Sequence, residues 1–529
     1  MRYIPLLISL LLVPAGLLLA LWLPFWGGVL AGLACLVAGF GLYDIFQTKR
    51  AVLKNYPISA RLRFLFEHFR PEIRQYFLES DHEETPYSRE QRALVYRRSK
   101  GIEGLRPFGT LRNVNAVGHE WINHSMAPTH LDSHDFRLRI GGPDCTQPYD
   151  SSPLNISGMS YGALSPNAIE ALNWGARIGG FAHTTGEGSI SRFHRKHGGD
   201  LIWQIGSGYF GCRTPEGAFH PDMFAETAAD DQVKMIEIKL SQGAKPGHGG
   251  ILPGAKVTEA IAEARGVQMG EDCISPAGHS EFSTPEGLCA FIARLRDLSG
   301  GKPIGLKLCV GHPWEFFAMA KAFHATGITP DFITIDGAEG GTGAAPVEFA
   351  DHKGAPIREG LMLVHNTLVG MGLRDRIRLI TSGKLISAFD MCRMFALGAD
   401  GCNIARGFMF AVGCIQAQVC HSGKCPTGVT TQDPGRYRAL VVAEKYQRVA
   451  NFHRNTMMAL KEAVESSGLR APQDFTPHHL MIRVNSREVR SAASQYLWLE
   501  PDELLSGQVD HPAFAKYWDR ARTDTFAFA

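Results

Sequence analysis

The sequence has almost no excess of charge of either sign. Among its 529 residues, 54 lysines and arginines balance 52 aspartates and glutamates, which leaves a formal net charge of +2 at pH 7. The only basic cluster that stands out directly follows an apolar N-terminal stretch. Proteins that bind nucleic acid concentrate positive charge on one surface. We therefore expect no nucleic acid among the partners of this protein.

The chain also lacks the cysteine spacings of disulfide scaffolds and zinc sites. It has 11 cysteines and no CxxC pair. Disulfide frameworks occur mainly in small secreted chains, and structural zinc needs four closely spaced ligands. Several cysteines lie singly in apolar stretches, which is typical of reduced thiols in the cytosol: Cys289, Cys309, Cys392 and Cys402.

Charge is absent altogether between Arg2 and Asp44. This apolar run is too long for a signal peptide and long enough for two membrane spans. Pro24 and the Gly27-Gly28 pair predict a turn, and hence a hairpin of roughly 4–23 and 26–43. The basic residues at both ends place both termini of the hairpin on the cytoplasmic side. We expect a multi-pass membrane protein with its catalytic domain in the cytoplasm; one kinked span with the N-terminus outside is the alternative.

Beyond the hairpin, we predict three further segments. Residues 49–150 are mostly helical, with one amphipathic helix interrupted at Pro71 and another capped by Ser88. Residues 151–432 form the main domain. Residues 433–529 contain a long helix that ends at Gly468 and a tail, and residues 1–48 hold the hairpin.

Short apolar strands alternate with helical stretches from Leu154 onward. This alternation over about 270 residues, with glycine-rich strand ends, predicts an α/β fold, specifically a closed (β/α)8 TIM-type barrel. The predicted strands are LNISGM, LIWQIGS, VKMIEIKL, IGLKLCV, FITIDG, IRLITSG and GCNIAR.

Two of these strands end in small or cationic residues, Ser382-Gly383-Lys384 and Ala405-Arg406-Gly407. Such ends expose backbone N–H groups that can bind a phosphate, and the last two strands of TIM-type barrels often do so. An ordinary turn is the simpler interpretation of Ser-Gly-Lys taken alone.

Three cysteines follow at once: Cys414, then Cys420 after five residues, and Cys425 after four more. Thiolates packed this tightly beside a phosphate site suggest a flavin nucleotide next to an iron–sulfur cluster.

Lys307 interrupts the apolar strand IGLKLCV. Strand alternation places it on the barrel interior, where an ammonium is costly unless it meets an anion. Such a lysine could stabilise an anionic reduced flavin or orient a carboxylate; a structural ion pair with a nearby acid is the alternative. The glycine-rich run 337–345 could close over a flavin or substrate. It does not match GxGxxG, and the chain contains no Rossmann fingerprint, so we expect no bound nicotinamide.

At these residues the sequence resembles the FMN-binding synthase domain of glutamate synthase. The matching pieces run in unbroken order from about 154 to 432: SGMSYGALSPNAIEALNWGARIGG with TTGEG, IKLSQGAKPGHGGILPGAKV, LKLCV, ITIDGAEGGTGAAP, GLRDRIRLITSGKL and GCIQAQVCHSGKCPTGVTTQ. The resemblance implies a barrel that carries FMN and a 3Fe-4S cluster held by Cys414, Cys420 and Cys425. Lys307 falls on the family's active-site lysine, and Gln204 on a glutamine near the flavin.

Family chemistry would be reductive amination of 2-oxoglutarate, through 2-iminoglutarate, to L-glutamate. The cluster would pass single electrons to FMN from an external donor such as ferredoxin or a reductase subunit. The expected FMN contacts are Met159, Ser160, Gln204, Lys307, Gly341, Gly343, Ser382, Gly383, Lys384, Arg406 and Gly407.

The sequence departs from the family in two loops. The family's KPGEGG reads Lys245-Pro-Gly-His248-Gly-Gly, and the substrate loop after Lys307 contains His312. We regard His248 and His312 as acid–base candidates, with structural roles as the alternative. We also see neither the glutamine-splitting domain nor the C-terminal β-helical domain of the large enzymes.

Two other functions stay open. One is an amine-transferring synthase that makes an N-substituted glutamate with partner subunits; the other is a non-catalytic membrane electron-transfer module. A hydroxyacid oxidase is disfavoured because its chemistry has no use for the three cysteines.

Overall fold

A computed structural model describes residues 2–82, 85–102, 104–507 and 511–528. They divide into two compact units, one up to residue 90 and one from residue 91 onward. The finer division into four segments stays a prediction.

The first unit is helical and opens with two packed apolar helices, α1 (Ile4–Ala20) and α2 (Pro24–Phe46). Small residues let their backbones approach closely: a Cβ added to Gly16 would lie 2.6 Å from the Ala31 nitrogen, and one on Gly27 would lie 2.1 Å from that of Ala20. By length and composition, α2 could cross a membrane, and α1 is a shorter apolar helix.

Two more helices complete this unit, α3 (Ala51–Asn55) and α4 (Ser59–Ile73). The predicted interruption at Pro71 is wrong, because α4 continues through Pro71 to Ile73. A π-helical turn, Arg74–Leu78, follows directly.

The predicted (β/α)8 barrel is confirmed. Eight parallel strands close on themselves in chain order, and the last pairs with the first through Cys402 and Leu154. They are β4 (Leu154–Ile156), β5 (His183–Thr184), β6 (Leu201–Ile205), β7 (Val233–Lys239), β10 (Ile304–Leu308), β11 (Phe332–Asp336), β12 (Arg378–Ser382) and β13 (Gly401–Ile404). Seven of them were predicted. The second, β5, has two polar residues and so no periodicity to reveal it.

The helices of the second unit surround the barrel and extend it. They are α5 (Arg89–Ser99), which spans the change between units, α6 (Pro166–Gly179), α7 (Arg192–Arg195), α8 (Pro221–Ala228), α9 (Glu259–Arg265), α10 (Pro285–Leu298), α11 (Pro313–Thr326), α12 (Val347–His352), α13 (Ile357–Gly370), α14 (Ala388–Ala396), α15 (Arg406–Val412), α16 (Pro434–Tyr437), α17 (Val442–Ser466), α18 (Ala492–Gln495) and α19 (Pro512–Ala515). The predicted C-terminal helix is α17, which ends just before Gly468, whose φ is +74°.

Short antiparallel strands lie outside the barrel. β8 (Gly250–Leu252) pairs with β9 (Cys273–Ser275) in the long connection after β7, and β1 (Glu120–Ile122) pairs with β14 (Leu480–Arg483), which pairs with β15 (Val489–Ser491). The hairpin of β2 (Leu138–Ile140) and β3 (Tyr149–Ser151) packs its apolar side chains against the amino end of the barrel.

That end of the barrel is filled with apolar side chains. Leu138 and Ile140 of the hairpin form one cluster with residues from five barrel strands or their flanks: Ala182, Ile202, Met235, Phe332 and Ile380. The filling is tight, since a Cβ on Gly305 would lie 2.3 Å from the Phe332 ring. With this end closed, the carboxyl ends of the strands are left for ligands.

Candidate active site

Polar side chains replace the apolar filling toward the carboxyl end of the barrel. Gln204, Glu237, Lys307 and Asp336 come from β6, β7, β10 and β11, and all four are buried. Buried charges are rare unless they are paired. These four residues are referred to below as the polar layer.

Lys307 is 5 % exposed, and its Nζ lies 3.6 Å from Oδ2 of Asp336. Burial lowers the pKa of Lys307, but the carboxylates of Asp336 and Glu237 outweigh burial and leave that pKa raised. The lysine is therefore held as a cation inside the barrel. Its interior position agrees with the sequence analysis, and the anion it meets in the chain is Asp336.

Glu237 is the second acid beside this cation, and the sequence analysis missed it. It lies opposite Gln204 in the β6–β7 register, and the Gln204 Nε2 donates to its Oε2 at 2.5 Å. Burial raises the pKa of Glu237, opposed by the Lys307 charge. The signal was available: like Lys307, Glu237 is a charged residue in an otherwise apolar strand, VKMIEIKL.

Three further charged side chains, Glu187, Lys239 and Lys245, line a pocket beside the polar layer. Nζ of Lys239, at the carboxyl end of β7, lies 3.1 Å from Oε2 of Glu187, and Lys245 lines the same pocket. Burial would raise the pKa of Glu187, but the two lysines lower it overall. The sequence analysis did not assign a role to these three residues. Their grouping depends on loops that follow different strands.

The two candidate histidines lie in different places. His248 lines the same pocket, is exposed, and has its Nδ1 2.6 Å from the Gly249 carbonyl oxygen. His312 precedes α11 and stacks on Trp314, with ring centroids 4.1 Å apart. The described lining of the pocket does not include His312. His248 is thus the candidate that the structure brings near the charged group.

The predicted phosphate-binding ends belong to the seventh and eighth barrel strands, β12 and β13. Oγ of Ser382 lies 3.1 Å from Oγ of Ser157, which follows the first strand. Arg406 donates from Nη2 to the Thr342 carbonyl at 3.1 Å, and a Cβ on Gly341 would lie 2.5 Å from the same Nη2. Arg406 thus holds the glycine-rich run 337–345 close to the eighth strand.

Most of the remaining predicted contacts adjoin these strand ends, because the first barrel strand pairs with the eighth. Met159 and Ser160 follow the first strand, and Gly186, with φ +69°, packs against them so closely that a Cβ would lie 2.6 Å from the Ser160 nitrogen. A Cβ on Gly158 would lie 3.1 Å from the Gln204 amide. At Gly158 and Gly186 these close approaches leave no room for a side chain. The roles of all these residues as cofactor contacts stay predictions.

The three cysteines lie in the loop after α15, all as free thiols. A Cβ on Gly343 would lie 3.9 Å from Cβ of Cys420, so this loop approaches the glycine-rich run. Burial raises the pKa of Cys414 to about 11. Burial would also raise the pKa of Cys425, but hydrogen bonds from Thr427 and Thr430 lower it to about 7.

Within the described ranges, no three His, Cys, Asp or Glu side chains converge on a point that could hold a single metal ion. An iron–sulfur cluster makes a different demand, because each thiolate binds a separate iron. Three soft thiols lie within twelve residues, with one imidazole (His421) and no carboxylate between them, and such a thiolate-rich set fits an iron–sulfur cluster.

The run GSGYFG after β6, residues 206–211, has GxGxxG spacing, which the sequence analysis overlooked. A turn follows it, and the next helix begins only at Pro221. The dinucleotide fingerprint needs the glycine loop to open a helix. This run therefore lacks the structural setting of the dinucleotide fingerprint, and the expectation of no bound nicotinamide stays a prediction.

Comparison with known proteins adds sequence similarity to this geometry. The pattern described as "Conserved region in glutamate synthase" matches residues 144–470. The chain is 37 % identical over 497 residues to the glutamate synthase large subunit-like protein YerD of Bacillus subtilis (strain 168), covering 86 % of this chain and 94 % of that protein. It is 35 % identical over 332 residues to the archaeal-type glutamate synthase (NADPH) of Thermotoga maritima, covering 63 % of this chain and 62 % of that protein.

Solved structures with a similar arrangement include a flavocytochrome b2 variant with sulfite bound and a mandelate oxidase variant with a monooxide FMN adduct. The first has a TM-score of 0.41 at 12 % identity and covers 85 % of this chain and 92 % of that chain. The second has a TM-score of 0.39 at 15 % identity, and the match covers 76 % of this chain and 91 % of that chain.

Proposed function

Because the chain belongs to the glutamate synthase family and is an oxidoreductase, we propose that it reduces a 2-imino acid at the carboxyl end of its barrel, with 2-oxoglutarate and ammonia as precursors and L-glutamate as product. The observation that carries this proposal is the polar layer. It holds one buried cation, Lys307, between the carboxyl groups of Asp336 and Glu237. This cation lies at the same end of the barrel as the two strand ends predicted to bind phosphate. The overall change consumes 2-oxoglutarate, ammonia, two electrons and two protons, and it releases water.

FMN is the proposed cofactor. Its phosphate would lie at the ends of β12 and β13, against Ser382, Gly383, Lys384, Arg406 and Gly407, and its ring would lie toward Met159, Ser160 and Gln204. When bound, FMN supplies a hydride and accepts electrons one at a time. Lys307 would stabilise negative charge that develops at the mouth, because it is buried, cationic and already oriented by Asp336.

The substrate would bind in the pocket of Glu187, Lys239 and Lys245. The two ammonium groups match the carboxylates of a 2-oxo dicarboxylic acid, and the carboxylate of Glu187 can accept hydrogen bonds from an ammonium or an imine N–H. His248 would add a titratable group at the pocket edge.

A 3Fe-4S cluster on Cys414, Cys420 and Cys425 would supply single electrons from an external donor such as ferredoxin or a reductase subunit. The neighbourhood of Cys420 and Gly343 supports this arrangement, because it brings the cysteine loop to the run that borders the mouth.

We also propose that α1 and α2 both span a membrane and that the barrel faces the cytoplasm. α1 has 17 residues, about 25 Å of helix, and the apolar residues that follow it extend this length toward the roughly 30 Å of a hydrocarbon core. Their packing through glycine and alanine is typical of helices within membranes. The basic residues after α2 support the orientation.

The test is anaerobic reduction of the purified full chain, followed by addition of 2-oxo acids with ammonium. We expect 2-oxoglutarate with ammonium to reoxidise the flavin and yield L-glutamate, whereas either compound alone does not. A reduced flavin that no pair of 2-oxo acid and ammonium reoxidises would disprove the proposed reaction while leaving FMN binding intact. Replacing ammonium by alkylamines tests whether an N-substituted glutamate is the true product.

A further inference from the structure

The helix that follows the apolar hairpin carries an exposed apolar stripe. Along α4, five side chains at helical spacing share one face, and each is exposed, from 41 % for Ile73 to 64 % for Phe66; the five are Leu62, Leu65, Phe66, Phe69 and Ile73. Phe77 and Leu78 in the π-helical turn are 83 % and 74 % exposed. A helix in a water-soluble fold turns such a face toward its core. Here the buried residue of α4 is Ala60, which lies outside the stripe.

The rest of the same segment is charged and mainly basic. Residues 59–78 contain four arginines against two glutamates. Arg63 pairs with Glu67 at 2.9 Å, and Arg70 and Arg74 continue the basic side. A basic polar face opposite leucine and phenylalanine is the pattern of helices that lie in a membrane surface.

The start of α4 is tied to the end of α2. Arg61 donates from Nη2 and Nε to the two carboxylate oxygens of Asp44, at 2.6 and 2.9 Å, and the Ile58 N–H donates to the same carboxylate at 3.1 Å. Asp44 is fully buried, and Arg61 also lies over the Phe40 ring at 4.7 Å. A bidentate pair between an arginine and a buried carboxylate is strong and directional. It holds the first turn of α4 beside the last turn of α2.

We propose that residues 59–78 lie in the plane of the cytoplasmic membrane surface, with the apolar stripe at the boundary of the acyl chains and the arginines among anionic lipid headgroups. The inference rests on the proposed hairpin, because a span that ends at Phe46 delivers Asp44, and with it Arg61, to that surface. The basic excess selects an anionic leaflet, where each arginine strengthens binding about fivefold.

Photocrosslinking in the full chain tests this placement. Benzoylphenylalanine replaces Phe66 on the stripe or, as the matched control, His68 on the polar side two residues away. The protein is reconstituted into vesicles of phosphatidylcholine with phosphatidylserine, irradiated and analysed by mass spectrometry. We expect lipid adducts at position 66 with a yield several-fold above position 68. Crosslinks from position 66 to another copy of the chain or to its own barrel would overturn the proposal.

A third probe separates this inference from the hairpin itself. Leu18 is 65 % exposed on α1 and reports whether that helix contacts lipid. Lipid adducts at position 18 without adducts at position 66 reject the surface helix and leave the hairpin standing. No lipid adduct at either position rejects both.

A further variant tests whether the arginines of residues 59–78 contribute to the binding of anionic lipid. Arg70→Gln should lower the adduct yield at position 66 about fivefold in vesicles that contain phosphatidylserine and leave it unchanged in pure phosphatidylcholine. Equal adduct yields at position 66 in both kinds of vesicle, with Arg70 retained, would overturn the preference for anionic lipid.

Discussion

Lys307 Nζ lies 3.6 Å from Asp336 Oδ2, and the two side chains are buried at the carboxyl ends of the adjacent strands β10 and β11. The pair contributes in two separable ways. It neutralises two charges inside the barrel, and it keeps an ammonium at the mouth where we propose that negative charge develops. Removing one partner of a buried pair costs more than removing both, because a single deletion leaves an uncompensated charge.

Lys307→Met should lose turnover and also lower the free energy of unfolding by roughly 3–5 kcal/mol, because Asp336 and Glu237 lose their counter-charge. Denaturant unfolding and single-turnover flavin reoxidation measure the two effects.

The double variant Lys307→Met/Asp336→Asn separates the two contributions. It should recover much of the stability and none of the turnover. Recovery of turnover in the double variant would show that the ammonium is structural only.

Arg406→Gln should weaken FMN binding by about ten- to a hundredfold, since a hydrogen bond to a charged group contributes roughly 1.5–3 kcal/mol. It would also release the contact to the Thr342 carbonyl that holds the glycine-rich run. Equilibrium dialysis of flavin against the purified variant gives the affinity. Arg438→Gln is the control, because Arg438 is an exposed arginine beyond the cysteine loop, and this variant should bind FMN with the affinity of the parent chain. Equal FMN affinities of the two variants would contradict a role for Arg406 in phosphate binding.

Cys420→Ser should abolish the broad visible absorbance of the cluster and lower the iron content, while the fold and FMN remain. Cysteine thiolates are the ligands of such clusters, and a serine hydroxyl is a poor replacement. Cys145→Ser is the matched control, because Cys145 is a partly exposed thiol outside the loop. An unchanged spectrum and iron content in Cys420→Ser would refute the cluster.

Periodicity predicted the barrel because seven strands are long enough to show it, and the same alternation placed Lys307 inside. It could not reveal β5, whose two residues carry no pattern, and it did not lead us to Glu237, although an acid in an apolar strand is the same kind of signal.

Other parts of the site depend on contacts between distant segments. Lys239 ends β7 and Lys245 lies in the loop after it, whereas Glu187 follows β5, so only the closed barrel brings Glu187 to the two lysines. Likewise, helix propensity indicated a break at Pro71, whereas α4 continues past it and the regular α-helix gives way to a π-helical turn only at Arg74. Sequence spacing therefore identifies candidates along one strand or loop, and tertiary structure decides which of them meet.

Buried histidines should make the protein sensitive to acid. His453 Nε2 shares a hydrogen bond with Ser152 Oγ at 2.9 Å, and its ring stacks on Phe181 with ring centroids 4.0 Å apart. Burial lowers its pKa to about 3 from an ordinary value of 6.5, so the folded state holds it neutral. Because the folded pKa is the lower one, the stabilisation is complete above pH 6.5 and is lost as pH falls toward 3.

His453→Gln should therefore be less stable than the parent chain at pH 7.5. The difference between the two free energies of unfolding should shrink by about 1–2 kcal/mol between pH 6.5 and pH 5, because the parent chain loses up to about 1.4 kcal/mol per pH unit and the variant does not. Denaturant midpoints measured across this range test the slope. His478→Gln, at an exposed histidine, should run parallel to the parent chain throughout. A His453→Gln curve that also runs parallel would mean that other groups take up the protons that drive acid unfolding.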